Sequence, residues 1–319
     1  MRKGKWIQGT APGDPVSDAA REALRARLRT VAYYLPLASF KSDRDIEYVH
    51  QVRVSTRRAV ALLRIFRSLM AEKDADWLDR KLKRIRRAAS EARDLDVLGR
   101  RIAEWVEANP SSGRAALLYR VERARDGAQA PVRKVRKKLA DKRFGGRIDK
   151  IVKRVRWRED GPEPSFAAAA AGCLRTVAEP FFEAGAGDTA DLDALHRFRI
   201  TAKHLRYSME VFAAAFGPDF RTDLYPCFEE VQARLGDIHD HAAALARFQT
   251  WLAEWDDGPE TEALRELAEV EKGNLARTRQ NFIRWWTPER AAELRTRFDQ
   301  AMLTQATVHH ATAPGEKSA

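Results

Sequence analysis

The sequence predicts an all-α, pseudo-symmetric protein: two helical bundles side by side, sharing a basic groove. Three observations predict it. Apolar residues recur at helical spacing through most of the chain, and no sustained period-2 alternation occurs; Asp126-Gly127 and Asp257-Gly258 sit between helical patterns, not between β-branched runs. The stretch Val49-His50-Gln51-Val52-Arg53-Val54-Ser55-Thr56-Arg57-Arg58 is written again as Leu195-His196-Arg197-Phe198-Arg199-Ile200-Thr201-Ala202-Lys203-His204, 146 residues later. The same ungapped offset pairs Leu28-Arg29-Thr30-Val31-Ala32 with Leu174-Arg175-Thr176-Val177-Ala178, Arg93-Asp94 with His239-Asp240, Trp105 with Trp251, and Gly127 with Gly273. One long unit occurring twice is an internal duplication, unlike the many short units of a solenoid.

The elements follow in order. Residues 1–17, with Gly4, Gly9, Pro12, Gly13 and Pro15, read as a flexible lead-in. Ser17-Asp18 then supplies an N-cap for a helix whose core face is Leu24, Leu28, Val31 and Leu35. The helix carrying His50 runs from near Asp45 to around Met70. A third, with Leu78, Leu82, Ile85, Ala89 and Ala92 inward, continues through Asp94 to Trp105. After Asn109-Pro110-Ser111-Ser112-Gly113 a fourth spans Leu117 to about Leu139, and the cation-dense 142–158 adds a short one. Residues 159–165, rich in Gly, Pro and acid, form a linker. The first bundle is therefore expected over 18–158 and the second over 166–305, with a flexible tail at 306–319.

Composition limits the partner. Hydrophobic residues make up 44% of the chain, enough for a folded core, while net charge +12 and a pI near 9.9 point to an anion. Met1-Arg2-Lys3-Gly4-Lys5-Trp6 leads into no apolar run, and Ala167–Ala171 is too short to cross a bilayer, so the expectation is a cytoplasmic protein without membrane insertion. Cys173 and Cys227 have no motif spacing and read as reduced thiols.

The cations are arranged, not scattered. In each copy of the repeated helix a His is followed at +3 by Arg and at +7 by Arg or Lys, offsets that share one helical face. His196, Arg199, Lys203 and Arg206 each lie one residue after an apolar stripe of Leu195, Phe198, Ala202 and Leu205, hence about 100° round the helix. Arg25 and Arg29, then His50, Arg53 and Arg57, then Lys83, Arg86 and Arg93 stand in the same relation to their own cores. Cations facing one another repel unless an anion lies between them. Nearby carboxylates are few (Asp94, Asp240 and Glu210), which favours a groove for a polyanion over a solvated face.

Catalytic constellations are absent from the sequence. It has no phosphate-binding glycine loop, no nucleophile elbow, no Glu-x-Glu-x-Lys signature and no cofactor motif. His50 and His196 have cations, not metal ligands, at matched spacing; a His donating to phosphate and a His hydrogen-bonded at a helix start both remain open. His239-Asp240-His241 matches two residues of the His-Asp pair of metal phosphohydrolases without their remaining ligands. Nucleic acid is the natural competitor, but the basic helices carry few aromatics or amides for stacking and base readout.

The two His-x-x-Arg helices, the run Lys203-His204-Leu205-Arg206-Tyr207-Ser208-Met209-Glu210 and the stretch Glu91-Ala92-Arg93-Asp94-Leu95-Asp96-Val97-Leu98 resemble the conserved-histidine α-helical domain (CHAD) family over about residues 18–305. The resemblance implies two four-helix bundles related by a pseudo-two-fold, binding of inorganic polyphosphate in a central basic cavity, and, for some members, association with polyphosphate granules. It implies binding roles for His50, Arg53, Arg57, Arg58, Arg93, His196, Arg199, Lys203, Arg206 and Tyr207, to which the repeat itself adds Arg29 and Arg175. Lys83, Arg86 and His239 complete the expected set from the third helix of each repeat. There Glu229, Gln232 and His239 replace Lys83, Arg86 and Arg93, so the cavity should be more positive on its first-repeat side. No enzyme activity follows from the resemblance. Nucleic-acid binding and, behind it, metal-dependent phosphohydrolysis are the alternatives.

Overall fold

The computed structural model describes residues 4–140 and 144–310, which fold into α1 (Val16–Phe40), α2 (Glu47–Ile65), α3 (Glu72–Ala88), α4 (Ser90–Ala108), α5 (Ser112–Gly127), α6 (Ala130–Ala140) and α7 (Phe144–Lys153), then α8 (Phe166–Gly185), α9 (Leu192–Phe212), α10 (Tyr225–Glu254), α11 (Pro259–Trp285) and α12 (Pro288–His310). The fold is all-helical. Among the described residues the only β-type pairing is an isolated bridge between Pro15 and Ser165. No helix there is long and apolar enough to cross a membrane. The last nine residues of the expected flexible tail lie outside the described residues, and α12 runs on as far as His310.

Local chemistry sets the helix ends. Ser111 caps α5 by accepting from the Arg114 amide, and Ser165 caps α8 through the Ala168 amide, each at 3.2 Å. Asp191 takes the Asp193 and Ala194 amides at the start of α9. The expected Ser17-Asp18 cap is not the one used. α1 begins at Val16, whose N–H donates to the Pro164 carbonyl, while the Ser17 N–H donates to the Glu163 carboxylate at 2.6 Å. In return the Phe166 and Ala167 amides of α8 donate to the carbonyls of Asp14 and Pro12. Lead-in and linker thus satisfy each other's orphan helix-end donors. The expected loose lead-in is held at a second point as well: Ile7 is buried, and Trp6 packs edge-on against Tyr225 with ring centroids 4.7 Å apart.

Two helices expected as single runs are divided. The third breaks at Ala89, where the Ser90 hydroxyl donates to the Arg86 carbonyl and competes with the backbone ladder. The fourth breaks between Gly127 and Ala130, because Pro131 has no N–H to continue the ladder and Gln129 turns inward onto Ser42. The segments 146 residues further along the chain, α10 and α11, run unbroken.

Helix packing does not respect the boundary between the halves. α1 packs on α2, α8 on α9, α4 on α5 and α10 on α11, but α2 also meets α9, and α5 meets α11. The stripe Leu195, Phe198, Ala202, Leu205, Met209 and Phe212 of α9 is buried throughout, joined by Phe166, Phe181, Phe228 and Phe298. Each of the leucine, methionine and phenylalanine side chains contributes about 1.5–3 kcal/mol relative to exposure.

Backbones come close where α5 crosses α11. A Cβ on Gly113 would drive into the carbonyl of Pro259, a backbone atom that cannot rotate aside. Gly113→Ala should therefore destabilise the protein by about 1–3 kcal/mol in urea denaturation with helical circular dichroism unchanged. A neutral outcome would mean that the two helices can slide apart at no cost.

Candidate functional site

The α2–α9 contact brings the two copies of the repeated helix together, and the cations one step round from their buried stripes meet in a cavity of about 600 Å³. Helix α2 lends His50, Arg53, Val54, Arg57 and Arg58 to its lining; α9 lends Arg199, Lys203, Arg206 and Tyr207. Helix α4 adds Arg93, Asp94, Val97 and Leu98, and α10 adds Gln232, Gly236, His239, Asp240, Ala243, Ala244 and Arg247.

Some of these cations are anchored. Arg53 donates to Asp94 at 3.1 Å and to the Ser90 carbonyl at 2.7 Å, which fixes its stem along α4. Arg199 stands 4.0 Å from Asp240, the carboxylate 146 residues after Asp94. Arg247 is held by Glu91, with its two nitrogens 2.8 and 3.0 Å from the carboxylate oxygens. Below the cavity, wholly buried, lies Glu210. It accepts from Arg58 Nε at 2.6 Å, Arg206 at 3.1 Å and the Tyr225 hydroxyl at 3.0 Å, with Arg27 3.8 Å away. Arg27 in turn donates to the carbonyls of Gly4 and Lys5, each at 2.7 Å, tying the lead-in to the same hub. Three guanidiniums around one carboxylate leave an excess of positive charge at the cavity floor.

Others are unanchored. Arg57, Arg93 and Lys203 have no hydrogen-bond or ion-pair partner among the described residues. The crowding is visible in their ionisation. Burial, then Arg199 and Arg57, push Lys203 down to about 7. Burial, Arg199 and Lys203 push His239 down to about 4, against the opposing pull of Asp240. His50 is lowered by burial and by Arg93. Burial also weakens the hold of Arg53, Arg93 and Arg199 on their protons.

Of the residues expected at the site, ten line this cavity: His50, Arg53, Arg57, Arg58, Arg93, Arg199, Lys203, Arg206, Tyr207 and His239. Five do not. Arg29 and Arg175 are exposed on α1 and α8, and Arg175 donates instead to the Met302 carbonyl of α12. Lys83 pairs with Asp79 one turn back at 2.7 Å. Arg86 is half-buried beside the lining, near enough to Arg57 and Arg64 to feel their charge. His196 is exposed beside His239, with ring centroids 5.3 Å apart. Gln232, Gly236, Ala243 and Arg247 were not expected, although they only continue the His239 face of α10 at helical spacing. Among the described residues no three His, Cys, Asp or Glu side chains converge as a metal site, so His239-Asp240-His241 gains no further donors.

A family model, the CHAD domain, matches residues 22–249, more than half of the chain. The chain belongs to the CHAD family. Two uncharacterized proteins from two strains of Mycobacterium tuberculosis are 31% identical to it over 238 residues, which cover 72% of the chain. The chain spans only 44% of the length of those relatives. Among solved structures, the CHAD domain of the plant Ricinus communis superposes over 94% of this chain and 96% of its own, with a TM-score of 0.66 at 17% identity. PptA from Streptomyces chartreusis superposes over 86% of this chain and 99% of its own, with a TM-score of 0.60 at 19% identity. At that identity the two likenesses establish the CHAD fold and nothing finer. The cavity belongs to the part of the CHAD chain inside the match, since every lining residue falls between His50 and Arg247.

Proposed function

We propose that this CHAD protein binds inorganic polyphosphate, without turning it over, in the cavity walled by α2, α4, α9 and α10. One observation carries the reading: Arg57, Arg93 and Lys203 reach a common space without a hydrogen bond or ion pair to any carboxylate among the described residues, and a ligand of opposite sign relieves their mutual repulsion. A chain of phosphates offers acceptor oxygens at every unit, each able to take charge-assisted bonds from two walls at once. Cations and aliphatic carbons dominate the lining, beside Asp94, Asp240 and Gln232; Tyr207 is its only non-histidine aromatic, which gives nucleobases little to stack on.

We further read the fold as an internal duplication, two bundles about a pseudo-two-fold with the cavity between them. Paired contacts support this. Arg58 binds Glu210 while Arg64 binds His204, and adding the repeat offset of 146 to the first residue of each pair gives the second residue of the other. Arg114–Glu266 and Arg120–Glu260 obey the same rule, as an isologous interface requires. Gly113 and Pro259, in contact, are themselves repeat-equivalent and so lie on the axis. This function suits a cytoplasmic protein that can associate with polyphosphate granules.

The test is competition. Labelled long-chain polyphosphate bound to the protein should be displaced by unlabelled polyphosphate, and much less by single-stranded RNA or duplex DNA at equal phosphate concentration. Equal displacement by nucleic acid would overturn the specific reading. Steady release of phosphate in the presence of Mg²⁺ or Mn²⁺, abolished by His239→Ala, would replace it with hydrolysis.

A further inference from the structure

The two walls of the cavity are chemically unequal at matched positions. Where the first repeat places Arg57 and Arg93, the second places Lys203 and His239. A guanidinium keeps its proton in nearly any protein environment, whereas an ammonium among cations can shed it.

Lys203 occupies the place where this difference matters most. On α9 its neighbours toward the cavity are Arg199 and Arg206, one turn to either side, with Tyr207 beyond. Across the space α2 presents Arg57, with Arg53, Arg58 and His50 further along. From α10 come His239 and Asp240, and Arg247, whose charge is already met by Glu91. From α4 come Arg93 and Asp94, the latter engaged with Arg53. Asp240 is the one carboxylate that pulls on Lys203, and it also faces Arg199. An ammonium half-buried among guanidiniums, without a hydrogen bond of its own, is the first group in the cavity to give up its charge as pH rises.

We propose that the cavity takes up a proton together with its anion, and that Lys203 is the group that receives it. The inference rests on the polyphosphate reading. In the empty site the Lys203 amine holds its proton only up to about pH 7. A phosphate chain threaded beside it replaces repulsion by attraction, and the amine regains its ordinary basicity. The buffer acid supplies the proton, the nitrogen lone pair accepts it, and no other bond is made or broken. Of the other titratable groups, His239, lowered to about 4, is neutral in the empty cavity across the window that Lys203 controls. The sign follows from linkage: the bound form holds more protons, so affinity rises as pH falls toward 7 and levels off below it, by at most about tenfold per pH unit for one proton.

The experiment is isothermal titration of the full-length protein with long-chain polyphosphate at pH 8, in Tris and in HEPES, whose ionisation enthalpies differ. Wild type should take up close to one proton per bound chain segment, and its affinity should rise about tenfold or more from pH 9 to pH 7. Lys203→Arg should bind without uptake and show a flat profile at the tight, low-pH affinity. Lys203→Gln should be equally flat at the weak, high-pH affinity, so either variant suffices should the other fail to fold. Uptake that persists in both variants, or tight wild-type binding with no uptake, would overturn the inference and leave the polyphosphate reading standing. Absence of binding at every pH would overturn both.

Discussion

Glu210→Ala should destabilise the protein by about 3–5 kcal/mol, a loss on the order of ten degrees in melting temperature, although Glu210 touches neither solvent nor the cavity. The carboxylate is the counter-charge for Arg58 and Arg206, with Arg27 close by, and it also accepts the Tyr225 hydroxyl. Removing it leaves three half-buried or buried guanidiniums close together, with Glu229, 3.5 Å from Arg206, as the remaining carboxylate beside them. Such a loss is a large share of a total stability of about 5–15 kcal/mol. It should extend to the lead-in, because Arg27 is also the residue that holds the carbonyls of Gly4 and Lys5. The comparison that isolates burial is Glu179→Ala, which breaks the exposed pair with Arg295 and should cost under about 1 kcal/mol. Equal, small losses from both variants in urea denaturation would show that the arginines find water or other partners when Glu210 is gone, and the hub would then be only a surface-like ion pair.

Arg57→Gln combined with Arg93→Gln should weaken polyphosphate binding by about a hundredfold or more, each lost charge-assisted bond being worth roughly 1.5–3 kcal/mol. Neither residue has a protein partner to lose, so the melting temperature should stay level or rise as repulsion in the cavity is relieved. Lys137→Gln with Lys138→Gln removes the same net charge from exposed positions on α6 and should change affinity only slightly at physiological salt, where exposed charges are screened within about 8 Å. The wild-type affinity should also fall by on the order of a thousandfold between 50 and 200 mM salt if about six to ten phosphates are engaged, by analogy with counterion release from DNA. Fluorescence anisotropy with labelled polyphosphate measures all three quantities. Matching losses from the two double variants would mean that a diffuse positive surface, not the cavity, attracts the polymer.

Much of the arrangement is legible in the sequence, and the reasons differ by residue. The repeat offset places His50, Arg53 and Arg57 opposite Arg199 and Lys203 because both helices must bury their stripes, and the buried stripes of α2 and α9 bring the +1 faces together. The same reasoning applied to Arg29, Arg175 and Lys83 gives the correct angle round α1, α8 and α3 but not the identity of the neighbour at that angle. For Arg29 and Arg175 it is solvent, apart from the Met302 carbonyl, and for Lys83 it is Asp79 on its own helix. Periodicity describes a helix in isolation; which faces meet depends on packing between helices distant in sequence. The division of the third and fourth helices was less visible still, since one serine hydroxyl and one missing proline N–H interrupt patterns that remain amphipathic on both sides. The ordering of the lead-in depends on Arg27, a buried cation on a helix face otherwise filled by Leu24, Leu28 and Val31.

The crossing of α5 with α11 sets Arg114 and Arg120 on one helix against Glu266 and Glu260 on the other. Their repeat-equivalent positions carry opposite charges, since Arg114 corresponds to Glu260 and Arg120 to Glu266. Two copies of the first half laid together in the same manner would bring arginine to arginine, and two copies of the second would bring glutamate to glutamate. If the halves are the duplicated units proposed above, each is complementary to its sibling and repellent to its own likeness. A seam that symmetry alone would leave open to any second copy would then be a lock whose key is carried on the same polypeptide.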